Sequence, residues 1–188
     1  MLAANGTDKR NVTDKRHGTE PSSGRTARRW WAGALALPLA LGFTVLGTGT
    51  ASAETVIRTD LLRNWATGRC LDSDGGGGVY TLPCQSGNGH QTWSVVYRYH
   101  SGYDVVQIRN KATGRCLVQV NSAIATAPCA SDNDWGYQLQ LWSGVGTGWD
   151  QVSLRSVAWN TCLDSDSAGS AYSFTCNGGG NQKWKSGF

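Results

Sequence analysis

From residue 54 onward the apolar positions come in short runs, and none sustains the i, i+3, i+4, i+7 spacing of an amphipathic helix. The stretches DVVQIRN (104–110) and QVSLRS (151–156) alternate or run apolar over strand lengths. Thr67-Gly68 and Thr113-Gly114 sit between such runs as turn dipeptides, with Trp159-Asn160 in that place farther on. The pattern also repeats. Leu62, Ile108 and Leu154 fall 46 residues apart, as do Arg63, Arg109 and Arg155, and Leu71, Leu117 and Leu163. A fixed period of this kind predicts equivalent structural units sharing one core. Each unit ends in Gln-x-Trp, at Gln91-Thr92-Trp93, Gln140-Leu141-Trp142 and Gln182-Lys183-Trp184. Such a Trp is expected to point inward, because one buried indole removes about 150–250 Å² from water. The prediction is an all-β protein of three repeats, about 54–99, 100–146 and 147–188, closed into a β-trefoil that leaves few strand edges exposed.

The first 53 residues read differently. A polar, basic lead (Lys9, Arg10, Lys15, Arg16, Arg25, Arg28, Arg29) precedes an apolar run from Trp30 to Leu46 and then Ala51-Ser52-Ala53. This is the order of an export signal, with cleavage expected after Ala53. An uncleaved anchor is the rival reading, but the run is shorter than the roughly 20 residues a spanning helix needs and contains Pro38. Arg28-Arg29 before Trp30-Trp31 carries only part of a twin-arginine signal. Cleavage changes the charge: of 17 basic residues seven lie in the lead, and of 13 acidic residues three, which leaves ten of each. A net charge of zero offers no bulk basic surface for nucleic acid. The expected product is a secreted, extracellular monomer with no membrane segment.

All six cysteines lie after the lead. An even count in an exported chain reads as disulfides, and six allow 15 connectivities. Each repeat holds one pair, with 13, 12 or 13 residues between, so the repeat pattern selects Cys70–Cys84, Cys116–Cys129 and Cys162–Cys176. There is no CxxC and no Cys/His cluster of the kind zinc requires.

The three Cys-Leu units, the Cys pair in each and the terminal Gln-x-Trp motifs resemble the repeats of ricin B-type lectins, which also occur as carbohydrate-binding modules of secreted bacterial glycosidases. The resemblance covers 54–188. It implies a β-trefoil with up to three sugar sites, called α, β and γ, one per repeat, for galactose-type or xylan-type sugars. In that family an Asp two residues after the first Cys accepts sugar hydroxyls; here it is Asp72 in α and Asp164 in γ, but Val118 in β. An aromatic platform stands two residues before the second Cys, a place held by Phe174 in γ, Leu82 in α and Ala127 in β. Two residues earlier come Tyr172, Tyr80 and Ala125, on the same strand face by the period of two. An Asn-Gln pair supplies amides: Asn181-Gln182 in γ, His90-Gln91 in α and Leu139-Gln140 in β. Asn181 is further expected to share Asp164 as its acceptor. By this comparison γ is complete, α partial with Tyr80 replacing the platform, and β lacks its Asp, aromatic and Asn. Gln140 persists in β all the same, which points to a structural hydrogen bond for the Gln residues.

Other features carry less. Asp72-Ser-Asp74-Gly and Asp164-Ser-Asp166 open like a calcium loop, but Pro83 and Thr175 stand where it needs Glu, so no metal is expected. Gly75 to Gly78 has no helix after it and reads as a flexible loop rim rather than a phosphate cradle. Trp65, Trp135, Trp149 and Trp159 fall in or near turns, where an exposed ring extends a sugar surface or packs on its own hairpin. Only His90 and His100 follow the lead, no Gly-x-Ser-x-Gly is present, and Asp72 and Asp164 belong to different repeats. The chain is therefore read as a binding protein, without cofactor and not an enzyme. The alternative is a protein-binding trefoil such as a secreted protease inhibitor.

Overall fold

The computed structural model describes residues 53–187. The apolar run of the expected leader lies outside the described residues. Among those described, no helix is long and apolar enough to cross a membrane. The first repeat supplies β1 (Val56–Asn64), β2 (Cys70–Ser73), β3 (Val79–Leu82) and β4 (Thr92–Ser101). The second supplies β5 (Tyr103–Asn110), β6 (Cys116–Val120), β7 (Ala123–Ala127) and β8 (Trp142–Gly146). The third supplies β9 (Val152–Ser156), β10 (Thr161–Ser165), β11 (Ala171–Thr175) and β12 (Trp184–Ser186). Strand β4 runs on to Ser101, past the repeat boundary read from the sequence, and turns into β5 at Gly102, whose φ is 72°.

Antiparallel pairing links β1 to β4, β4 to β5, β5 to β8, β8 to β9, β9 to β12 and β12 back to β1. These six strands close into a barrel, so none of them keeps a free edge. The other six form the hairpins β2–β3, β6–β7 and β10–β11. The hairpins meet pairwise, with Gly78 bridging to Ala125, Tyr172 to Ala123 and Tyr80 to Ser170. This is a β-trefoil of three pseudo-equivalent repeats, each closed by its own disulfide, Cys70–Cys84, Cys116–Cys129 or Cys162–Cys176.

The core is threefold because the sequence is. Leu62, Ile108 and Leu154, then Leu71, Leu117 and Leu163, then Trp93, Trp142 and Trp184 are all buried together. Each indole N–H donates to the carbonyl of the Leu that follows the first Cys: Trp93 to Leu71 at 2.9 Å, Trp142 to Leu117 at 3.1 Å and Trp184 to Leu163 at 3.0 Å. Left unpaired, a buried N–H costs about 1–3 kcal/mol, so this bond is what lets Trp serve as a core residue. It also ties the Gln-x-Trp motif to the Cys-Leu motif in every repeat.

The loop of each hairpin rests on the second strand of the next one. Thr126 N donates to Gly77 O at 2.9 Å, Ser173 N to Ser122 O at 3.3 Å and Thr81 N to Gly169 O at 2.7 Å, which completes the circle. The approach is close enough to require glycine: a Cβ on Gly77 would lie 2.8 Å from Thr126 O, and one on Gly169 2.9 Å from Thr81 O, both at positive φ. The four-glycine run is thus a fixed turn rather than a flexible rim, and Asp74 Oδ1 accepts the Gly78 N–H there at 2.9 Å. Asp166 Oδ1 accepts Ser170 N–H at 2.9 Å in the same way, so the second aspartate of each calcium-like motif serves as a turn cap.

Arginines brace two of the hairpins. Arg69 donates to Thr81 O at 2.8 Å and Arg115 to Thr126 O at 2.6 Å. The third repeat has Thr161 in that place, and help comes from its neighbour: Gln119 Nε2 of the second repeat reaches Thr161 Oγ1 and Ser173 Oγ, each at 2.9 Å.

Candidate functional site

The register of each hairpin decides what faces what. In β10–β11 the Cα partners are Asp164↔Tyr172 and Cys162↔Phe174, and in β2–β3 they are Asp72↔Tyr80 and Cys70↔Leu82. In β6–β7 the same places hold Val118↔Ala125 and Cys116↔Ala127. An acid therefore meets a phenol across two of the three hairpins, and the second hairpin has two apolar side chains instead. The difference is chemical, since the three ladders have the same pairing.

In the third repeat Asp164 is only 4% exposed. Its Oδ2 accepts Gln182 Nε2 at 2.9 Å, while Oδ1 is buried and has no hydrogen-bond partner among the described residues. Ser165 Oγ is in the same position. Tyr172, half-buried opposite, has a phenol held above its ordinary ionisation range, first by burial and then by the negative charge of Asp164. Tyr80 is raised for the same two reasons, with Asp72 as the charge. Phe174 is 55% exposed one pleat further along β11, a ring presented outward. Leu82, its counterpart in the first repeat, is exposed but has no flat face.

Asn181 does not share Asp164 as expected. Its Nδ2 donates to Ser165 O at 2.5 Å, and it is Gln182 that reaches the carboxylate. The reason is the short 3-10 turn at Gly180–Gln182, which directs successive side chains to different partners. His90 mirrors Asn181, with Nδ1 2.7 Å from Ser73 O. A carbonyl only accepts, so Nδ1 carries the proton in that bond and leaves Nε2 facing outward. Asn181 likewise retains its Oδ1. The imidazole thus replaces the amide at one anchoring point, the Ser carbonyl.

The Gln residues are holders. Gln91 Nε2 donates to Pro83 O at 3.1 Å and Gln182 Nε2 to Thr175 O at 2.9 Å, while their Oε1 atoms accept Gln85 N and Asn177 N, both at 2.8 Å. Gln140 makes the matching bonds to Pro128 O at 2.8 Å and from Ala130 N at 2.9 Å. Each Gln spans the two residues that flank the second Cys, which explains its retention in a hairpin without an acid. The anchoring carbonyls of Ser73 and Ser165 do have a signal in the sequence: Asp-Ser follows Cys-Leu in both acidic repeats, and Val118-Gln119 stands there in the other.

The candidate site is therefore a patch on one face of a hairpin, built twice. Each copy offers a carboxylate, a phenol and an anchored Asn or His at the rim, and the third repeat adds an exposed aromatic face. Such a set accepts hydroxyl donors and covers an apolar face. The described residues contain no group of three or more His, Cys, Asp or Glu placed to hold a metal ion.

Residues 52–142 match the family described as the cytolethal distending toxin A/C domain. No curated protein sequence matches the chain. Among solved structures, the chain is similar to the designed 3-fold symmetric protein ThreeFoil, with a TM-score of 0.55, 20% identity and coverage of 68% of this chain and 96% of that one. It is also similar to the cytolethal distending toxin from Actinobacillus actinomycetemcomitans, with a TM-score of 0.58, 16% identity and coverage of 68% and 89%. A third similar structure is the hemolytic lectin CEL-III, with a TM-score of 0.56, 26% identity and coverage of 71% of this chain but 31% of that one. The chain thus spans about a third of the lectin's length. These likenesses fit a ricin B-like trefoil fold.

Proposed function

We propose that the chain is a secreted lectin of the ricin B type that binds galactose- or xylose-type glycans through the hairpin face of its third repeat, and through that of its first. The observation that carries this reading is the Asp–Tyr pair built across two hairpins and absent from the other, with the exposed ring of Phe174 beside it in the third repeat. The reachable groups of this hairpin are the half-buried Tyr172 phenol and the exposed ring of Phe174, and a sugar offers them a hydroxyl edge and an apolar face. The hydroxyl enters beside the Tyr172 phenol, while the ring of Phe174 takes the C–H face of the sugar. Similarity to a hemolytic lectin supports the same ligand class. Export through the leader, with cleavage after Ala53, accords with the three disulfides. The chain acts by binding alone, as a monomer and without a cofactor.

The test is a glycan array probed with the purified protein. Binding to terminal galactosides or xylan is the expected result. Silence over the whole array, together with inhibition of a protease panel, would instead establish the protein-binding alternative.

A further inference from the structure

The second repeat lacks the acid and phenol of the other two, yet the segment that leads to its Gln-x-Trp is longer. Twelve residues separate Cys129 from Trp142, against eight between Cys84 and Trp93 and seven between Cys176 and Trp184. The added residues form an ordered turn. Ser131 N donates to Asp134 Oδ2 at 2.6 Å, Asp134 N to Ser131 O at 2.9 Å and Tyr137 N to Asp134 O at 3.2 Å. Gly136, at φ 87°, then starts the 3-10 turn at Tyr137–Gln140. At the tip stands Trp135, which is 96% exposed, while Trp93, Trp142 and Trp184 are buried. Leaving an indole in water gives up about 150–250 Å² of burial, and here the turn that does so is pinned on both sides.

Beside the indole lies a cavity of about 410 Å³ lined by Asp132, Asp134, Trp135, Tyr137, Leu139 and Ala158. Leu139 occupies the position that Asn181 and His90 hold in the other repeats. The loop therefore places a flat aromatic face next to the spot where its sister repeats carry their rim polar group. Both Asp132 and Asp134 are exposed beside it. A pyranose ring has the complementary character: one face of C–H hydrogens, which are drawn to the negative face of an aromatic ring, and an edge of hydroxyls that donate to carboxylates.

We propose that Trp135, with Asp132 and Asp134, forms a sugar-stacking subsite peculiar to the second repeat, which takes a pyranose residue of a polysaccharide. It lies on the loop before Gln-x-Trp rather than on a hairpin face, and it rests on the carbohydrate reading above for its ligand class.

The test uses the full exported chain with 5-fluorotryptophan in place of Trp, and the Trp135 resonance is identified by its loss in Trp135→Phe. Retention on insoluble xylan and galactan is measured alongside, for the wild type, for Asp72→Ala with Asp164→Ala, and for that double variant carrying Trp135→Ala as well. The expected result is a Trp135 resonance that shifts with soluble polysaccharide in the wild type and in the double variant. Residual retention of the double variant should be lost when Trp135 is removed as well, because that loop is its remaining contact. Trp135 is almost wholly exposed, so its replacement leaves the core untouched. A wild type that is retained while its Trp135 resonance stays fixed overturns the subsite and leaves the lectin reading standing. A shifting Trp135 resonance, in a chain whose retention does not depend on Asp72 or Asp164, supports the subsite and overturns the hairpin sites instead.

Discussion

At the scale of single residues the sharpest question is what Asp164 does for its neighbours. Replacing it with Ala removes the acceptor for Gln182 and, on the proposed lectin reading, for a sugar hydroxyl, and hydrogen bonds to a charged group are each worth about 1.5–3 kcal/mol. Calorimetry with the best array ligand should show affinity falling by roughly ten- to hundredfold. Val118→Ala, the same position in the second repeat, should leave affinity unchanged; an equal loss there would mean that the wrong residues have been assigned to binding. Asp164→Asn has a quieter consequence. It keeps the shape but removes the charge that, after burial, holds the Tyr172 phenol above its ordinary 10.0, so that phenol should ionise at lower pH while Tyr80 stays in place. Tyrosine-selective NMR titration reads both. The sign carries over to stability. A phenol whose ionisation is raised by folding contributes fully below pH about 10 and loses that contribution as pH climbs through its folded value, so the Asn variant should lose less stability in strong alkali than the wild type.

At the scale of elements, the circle of hairpin contacts depends on backbone meeting backbone. Gly77→Ala and Gly169→Ala each put a methyl group within 3 Å of a carbonyl oxygen at positive φ, and either should cost about 1–3 kcal/mol by thermal or denaturant unfolding. Gly75→Ala, with nothing within 4 Å of its Cβ, is the control and should change stability by less than about 0.5 kcal/mol. Equal losses at Gly75 and Gly77 would show that the loop is not held where it meets Thr126. These contacts also mark where sequence reading reaches its limit. The strands, the disulfides and the Asp–Tyr facing follow from periods of 46 and of two, so they are legible in the residues. The acceptor of Asn181, the reach of Gln119 into the next repeat and the exposure of Trp135 depend on how an aperiodic loop is folded. Nothing in the spacing of Gln119 from Thr161 announces a bond 42 positions long.

At the scale of the whole molecule, the two proposed sites lie on different hairpins of one barrel, so one free monosaccharide meets only one of them. Monosaccharide binding should be weak, roughly millimolar to submillimolar, since a shallow site buries little area. On an insoluble polysaccharide the second contact becomes intramolecular, and retention can exceed single-site affinity by about 10²–10⁴. Asp72→Ala and Asp164→Ala should each weaken retention, and together reduce it to what the Trp135 loop supports. If Asp72→Ala has no effect on a retention column, the first repeat contributes no site. The bond from Gln119 to Thr161 and Ser173 bears on a different matter, the interchangeability of the repeats. Arg69 and Arg115 brace hairpins inside their own repeats, but the third repeat borrows its brace from the second. A protein engineer who copied the third repeat three times, to multiply the most complete site, would place a serine wherever Gln119 is needed, and every hairpin would be left unbraced. The repeat that lacks the Asp–Tyr pair thus holds in place the hairpin that carries the fullest set, so neither can be exchanged without the other.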